Sequence, residues 1–304
     1  MDKAKHHFEA ALVRDPRFAL PCNALAEMYW YLGMAGYAPS RETDRIARSY
    51  ALQSLEIDSS SAETHALLSF FPGKQNCPGE IDYYDWEQIQ KEVLRARELN
   101  PTARLVRIRH GVILAIHGHV EEAAAEFEQI LEFDPLALDA RMWLVAMLYL
   151  GRHFDRALDH LSKMVELEPD HYMPYYQLGQ VYAMVRRFEE SIRAFHRALE
   201  LFPESPVILG FLGLSLGWGG HRQEAQVALN RLHALARQGH VPATSFAWVY
   251  LGLGNTDEAF VWLNRAVDAP DRFMEPIKTW PFLDPLRSDP RFKALLRKMN
   301  LEAQ

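Results

Sequence analysis

Residues 172–205 read YMPYYQLGQVYAMVRRFEESIRAFHRALELFPES. Tyr175, Leu178, Gly179 and Tyr182 fall at helical spacing in the first half, Phe195 and Ala198 in the second, and Pro203 closes the stretch. Proline lacks an amide donor and pushes the residue before it into extended backbone, so it stops a helix. The same closure recurs at Asn100-Pro101, Asp134-Pro135 and Glu168-Pro169, giving, with Phe202-Pro203, successive intervals of 34 residues. A period of that length predicts helix pairs stacked on one another, an all-α architecture. Within each pair a small residue allows close approach while large ones fill the neighbouring holes. Gly179 is the expected contact point, with Tyr175, Tyr182 and Phe195 as the knobs.

All but one of the signature positions of the tetratricopeptide repeat are present in 172–205, with Ser191 where alanine is usual, and the chain resembles that family. The frame extends to Leu25, Ala26 and Tyr29 with Ala47, Ala51 and Leu55, and to Gly111 with Ala123, Phe127 and Pro135. It continues through Leu144, Ala157 and Pro169, then Leu212, Gly213 and Ala225, then Tyr250, Ala259 and Ala266. The resemblance implies a right-handed α-solenoid of about seven helix pairs forming a single array over 1–304. In that array 1–18 is a half repeat, insertions fall near 33–40 and 71–86, and 282–304 is a C-terminal cap. The half repeat reads as the remnant of a longer array, an N-terminal cap or a homodimer contact. Phe282 to Phe292, Tyr84-Asp85-Trp86 and Asp15 to Leu20 are similar to the arrays that follow bacterial winged-helix regulators, serine/threonine kinases and adenylate cyclases. That similarity implies an interaction or sensory module.

Composition is that of an ordinary globular protein, 49% hydrophobic and 24% charged. With 33 basic against 40 acidic residues the net charge is -7, which repels phosphate backbones and argues against nucleic acid. Cys22 and Cys77 form no CxxC pair, so neither a disulfide framework nor a thiolate metal site is expected. The polar N-terminus lacks a signal-peptide core and no apolar run suits a membrane span. The expectation is a cytoplasmic chain without cofactor, metal or membrane partner.

No phosphate loop, HExxH, GxSxG or dinucleotide fingerprint is present, which disfavours the common enzyme classes. His117-Gly118-His119 with Glu121 and Glu122 reads as a helix-start turn whose acids suit the helix dipole, in preference to a metal site. Arg107 and Arg141 hold the position of Tyr175, and His110 that of Leu178. A buried guanidinium requires an acceptor, for which Glu80, Asp82, Asp85 and Asp139 are candidates. The three cationic groups therefore read as a structural ion-pair network or an anion pocket, with His110 the acid or base if the site is catalytic.

The inner groove of such repeats is the family's usual binding surface. Projected from the frame, it holds Asn23, Glu27, Trp30, Met142, Tyr149, Met173, Tyr176, Gln180, Trp218 and Trp248. Aromatic and methionine side chains of this kind anchor protein or peptide partners. The lysine/asparagine clamp of chaperone-tail relatives does not appear at these positions.

Overall fold

The computed structural model describes residues 2–34, 36, 38–71, 85–269 and 271–301, and these are helical apart from turns and connections. The helices are α1 (Asp2–Arg14), α2 (Ala19–Met34), α3 (Ser40–Ile57), α4 (Ala62–Leu68), α5 (Trp86–Leu99), α6 (Arg104–His117), α7 (Val120–Phe133) and α8 (Leu138–Leu150). They continue as α9 (Phe154–Leu167), α10 (Tyr172–Met184), α11 (Phe188–Leu201), α12 (Pro206–Trp218), α13 (Arg222–Ala236), α14 (Ala243–Gly252), α15 (Thr256–Asp268) and α16 (Pro290–Lys298). Two 3-10 turns, Arg272–Met274 and Pro281–Leu286, lie between α15 and α16.

The proline rule operates as the sequence predicts. Asn100, Asp134, Glu168 and Phe202, each preceding a proline, have φ between -153° and -132° with ψ from 73° to 90°, so α5, α7, α9 and α11 all stop there. The start of the second helix is set by a different device. Gly118, Arg152, Arg186, Gly220 and Gly254 all have positive φ, from 61° to 95°, and recur at the same 34-residue interval. Immediately after them His119, His153, Arg187, His221 and Asn255 occupy the N-caps of α7, α9, α11, α13 and α15. His119, Arg187 and His221 pair with Glu122, Glu190 and Glu224 three residues on, and His153 and His221 also reach back one repeat to Glu121 and Glu189. The Glu189 and Glu224 carboxylates raise the His221 pKa above its ordinary value.

The chain divides into two compact units, 1–113 and 114–304. In the first, α1 packs on α2, and α2, α3, α4 and α5 pack in succession. Ala62, Ala66, Ala96 and Val106 form a small core joining α4, α5 and the start of α6. In the second unit consecutive helices pack from α7 to α15, and the first helices of successive pairs also meet, α8 on α10, α10 on α12 and α12 on α14. Leu209, Leu229, Leu232, Phe246 and Val249 form one of its cores.

Gly179 is the close-contact point expected of it, since a Cβ there would lie 2.6 Å from Cε1 and Cζ of Phe195. Still tighter is Gly217, where a Cβ would stand 2.2 Å from the Gly252 carbonyl carbon. Phe195 is fully buried, whereas Tyr175 and Tyr182 are half-buried and covered by the Arg197 and Arg187 guanidinium groups. Ser191 explains itself, its hydroxyl lying 2.7 Å from the Gly179 carbonyl and 2.9 Å from Ser215 Oγ.

Gly179→Leu should destabilise the protein by about 2–4 kcal/mol through over-packing against Phe195, read as a fall in the denaturation midpoint. The turns make the opposite prediction. Arg186 is exposed and held at φ 61°. A left-handed non-glycine residue costs about 1–2 kcal/mol, and glycine gives back roughly half of that as unfolded-chain entropy. Arg186→Gly should therefore stabilise by about 0.5–1 kcal/mol, and a lowered midpoint would contradict the turn geometry.

Candidate functional site

The residues projected onto the inner groove divide by environment. In the first unit Asn23 Oδ1 accepts from Thr64 Oγ1 at 3.1 Å, and Thr64 also meets Ser54 and Ser61, so Asn23 belongs to a polar knot tying α2 to α3 and α4. Trp30 is buried against Phe70, ring centroids 4.7 Å apart. Burial raises the Glu27 pKa, with Arg104 opposing the shift.

In the second unit Tyr149, Tyr176, Gln180 and Trp248 are buried, while Met142, Met173 and Trp218 are half-buried. Gln180 Nε2 donates to Tyr176 Oη at 3.0 Å, and burial holds both the Tyr149 and Tyr176 hydroxyls far above the ordinary tyrosine pKa. Against Tyr149 and Trp248 lies the chain's own segment between α15 and α16. Trp280 meets Tyr149 at 5.8 Å and Phe211 at 6.5 Å, and Phe282 meets Phe211 at 5.3 Å and Trp248 at 4.7 Å. Part of the projected face is thus occupied from within. Trp280 and Phe282 carried no repeat signature, because they follow the last helix pair and obey no 34-residue register.

Of the projected cationic cluster, Arg141 and His110 have the following partners among the described residues. Arg141 Nη2 donates to the Pro135 carbonyl, and Nη1 donates to His160 Nδ1 at 3.1 Å. Burial first, then Arg141, lowers the His160 pKa, keeping it neutral to accept that bond. Tyr175, one repeat later, sends its hydroxyl to the Pro169 carbonyl at 3.0 Å, so arginine and tyrosine perform the same tie to the closing proline. His110 Nε2 accepts from Arg97 Nη1 at 3.0 Å. Asp85 caps α5, its side chain accepting from the Gln88 amide at 3.0 Å, and Glu80 and Asp82 lie outside the described residues.

Arg141 is buried as expected and Arg107 is half-buried, while Arg109 is buried more deeply than either. Its Nε donates to Ser69 Oγ at 2.8 Å and its Nη2 to the Ser69 carbonyl at 2.6 Å, with the guanidinium 4.0 Å from the Phe70 ring centroid. Arg109 shares a repeat position with Trp143, Gln177 and Phe211, and Trp143 and Phe211 stack on Phe127 and Phe195. The signal for Arg109 was therefore the 34-residue register read at this position instead of two residues earlier. Among the described residues no group of three or more histidine, cysteine or carboxylate side chains is placed to hold a metal ion. The 117–122 turn instead pairs His119 with Glu122 at 3.1 Å. No helix of the described residues is long and apolar enough to cross a membrane.

Comparison with known proteins agrees with this architecture. Family models of the tetratricopeptide repeat match residues 108–172 and 173–205, and the chain is a tetratricopeptide-repeat protein across that span. A peroxisomal targeting signal receptor from Eremothecium gossypii is 29% identical over 144 residues, 46% of this chain and 24% of the receptor. An uncharacterized protein of Neisseria meningitidis serogroup B is 30% identical over 213 residues, 68% of this chain and 44% of that protein. The matched stretch thus spans less than half the length of either relative. Among solved structures, the human IFIT1 dimer with PPP-AAAA has a TM-score of 0.61 at 14% identity, covering 88% of this chain and 68% of that one. A tetratricopeptide repeat protein from Parabacteroides merdae has a TM-score of 0.53 at 12% identity, covering 92% and 98%. At such identities these two neighbours speak for the fold alone.

Removing a buried guanidinium strands its acceptors and leaves a cavity, so Arg109→Ala should destabilise by about 3 kcal/mol or more. Arg107→Ala should cost less than half as much. Chemical denaturation of both variants checks the ranking, and the reverse order would restore Arg107 as the core residue.

Proposed function

We propose that the protein is an interaction scaffold that holds an extended segment of a protein partner against the first helices of its repeats. The observation that carries this reading is the seating of Trp280 and Phe282 on Tyr149, Phe211 and Trp248. Here a proline-containing piece of polypeptide outside the repeats, folded in 3-10 turns, already rests on first-helix rings. The half-buried Met142, Met173 and Trp218 supply further adaptable and aromatic surface in the same unit. A relative named as a peroxisomal targeting signal receptor supports a protein ligand as the class of partner. Net charge of -7 argues against a phosphate backbone. Similarity of Phe282 to Phe292 to bacterial arrays that follow regulatory domains supports a sensory or assembly role in a cytoplasmic regulator.

For Arg107, His110 and Arg141 the structural-network reading is supported over an anion or catalytic pocket by the bonds of Arg141 to a carbonyl and a histidine and of His110 to Arg97. Tyr176 is a core residue, so its replacement probes folding; Trp218 is the cleaner probe of binding. Peptides selected from a random library on the immobilised full chain should be rich in aromatic residues next to proline. Trp218→Ala with Met173→Ala should weaken them by about 30-fold, equivalent to about 2 kcal/mol of anchor energy, with unchanged helicity. Undiminished binding would remove this face as the binding surface.

A further inference from the structure

The segment 271–287 is built differently from the repeats it rests on. Its polar groups are satisfied largely from within. Trp280 Nε1 donates to the Phe273 carbonyl at 2.9 Å, and Arg287 donates to the Lys278 and Trp280 carbonyls at 2.8 and 2.9 Å and to Asp284 Oδ1 at 2.7 Å. Toward the helices it presents apolar matter, with Met274, Ile277, Phe282, Leu283 and Leu286 all buried.

Two polar ties fix its ends. At the first, Asp271 Oδ2 accepts from the Thr244 amide at 3.1 Å and hydroxyl at 2.6 Å at the start of α14. At the second, Arg152 Nη2 holds both Asp284 oxygens, at 2.8 and 2.9 Å, across a pair about half exposed to solvent. Burial works to raise the Asp284 pKa, but the bonds from Arg152 and Arg287 outweigh it and hold it below the usual value.

From this arrangement we infer that segment 271–287 is a reversible plug, an internal ligand that competes with the external peptide for the rings of Tyr149, Phe211 and Trp248. Because its internal hydrogen bonds travel with it, leaving strands few buried donors. Because the rings beneath form an aromatic patch, departure is favoured only when another segment of the same chemistry covers them. The groove therefore selects an aromatic–proline–aromatic sequence like Thr279-Trp280-Pro281-Phe282-Leu283 followed by an acid for Arg152. The exposed Arg152–Asp284 pair is the latch and Asp271–Thr244 the hinge.

Arg152 offers a clean test, because it stands at φ 64° where other repeats carry Gly118, Gly220 and Gly254, so Arg152→Gly removes the latch without straining the turn. This inference rests on the peptide-binding reading above, and the experiment separates the two. The full chain, as wild type, Arg152→Gly, Asp284→Asn and Trp280→Ala with Phe282→Ala, is titrated with a fluorescent synthetic peptide of residues 272–287. Hydrogen exchange of 273–286 is measured alongside. Apparent affinity scales with the fraction of grooves that are open, so each latch variant should bind the peptide about three- to fivefold more tightly than wild type, with faster exchange confined to the segment. The Trp280/Phe282 variant should bind at least as tightly as the latch variants. Equal affinity of all four chains overturns the plug while leaving a peptide site. Faster exchange with no peptide bound to any chain overturns the plug and the groove reading together. Exchange in 273–286 as slow as in α10 and α12 in every variant makes the segment permanent core.

Discussion

A residue that must be left-handed and a residue that must be extended alternate along this chain, and the rest of the structure depends on their spacing. Proline sets the second, ending α5, α7, α9 and α11 by steric conflict with the preceding residue. Positive φ at 118, 152, 186, 220 and 254 sets the first, turning the chain back on itself between the two helices of a pair. Once those two dihedral conditions recur every 34 residues, equivalent side chains in successive pairs face equivalent neighbours, and packing becomes a repeated local problem. The N-cap ladder of His153 to Glu121 and His221 to Glu189 is a by-product of that repetition.

Repetition also explains why substitutions are tolerated where the signature breaks. Arg141 does what Tyr175 does, reaching the carbonyl of the closing proline. Arg109 occupies a position that Trp143 and Phe211 fill with rings, and it manages burial by lying on Phe70 and donating to Ser69. At the Arg141 and Tyr175 position the repeat supplies a fixed acceptor, and at the Arg109 position a fixed hole whose polar occupant must find its own partners.

The segment after α15 is exempt from the register, and it is there that the molecule departs from a plain stack. Its aromatic pair, Trp280 and Phe282, packs on the first-helix rings of Tyr149, Phe211 and Trp248. The proposed function and the plug both follow from this breach of periodicity, since a face that already accommodates polypeptide from outside the repeats is fitted for more of the same.

The fold class was legible from the sequence because proline and glycine act through their own backbone, independent of what surrounds them. Gly179 was legible as a close contact for the same reason, with Phe195 as its knob. The left-handed turns at Arg152 and Arg186 were not, since arginine carries no mark of positive φ and only its equivalence to Gly118 and Gly220 discloses it. Nor was the deep burial of Arg109, which lies at a second inward position of the same helix, two residues from the Arg107 position that Arg141 and Tyr175 share. Whether Tyr149 and Trp248 face a partner or the chain itself was decided by tertiary structure alone, because helical periodicity says which side a ring is on but cannot say that a segment more than 100 residues from Tyr149 returns to cover it.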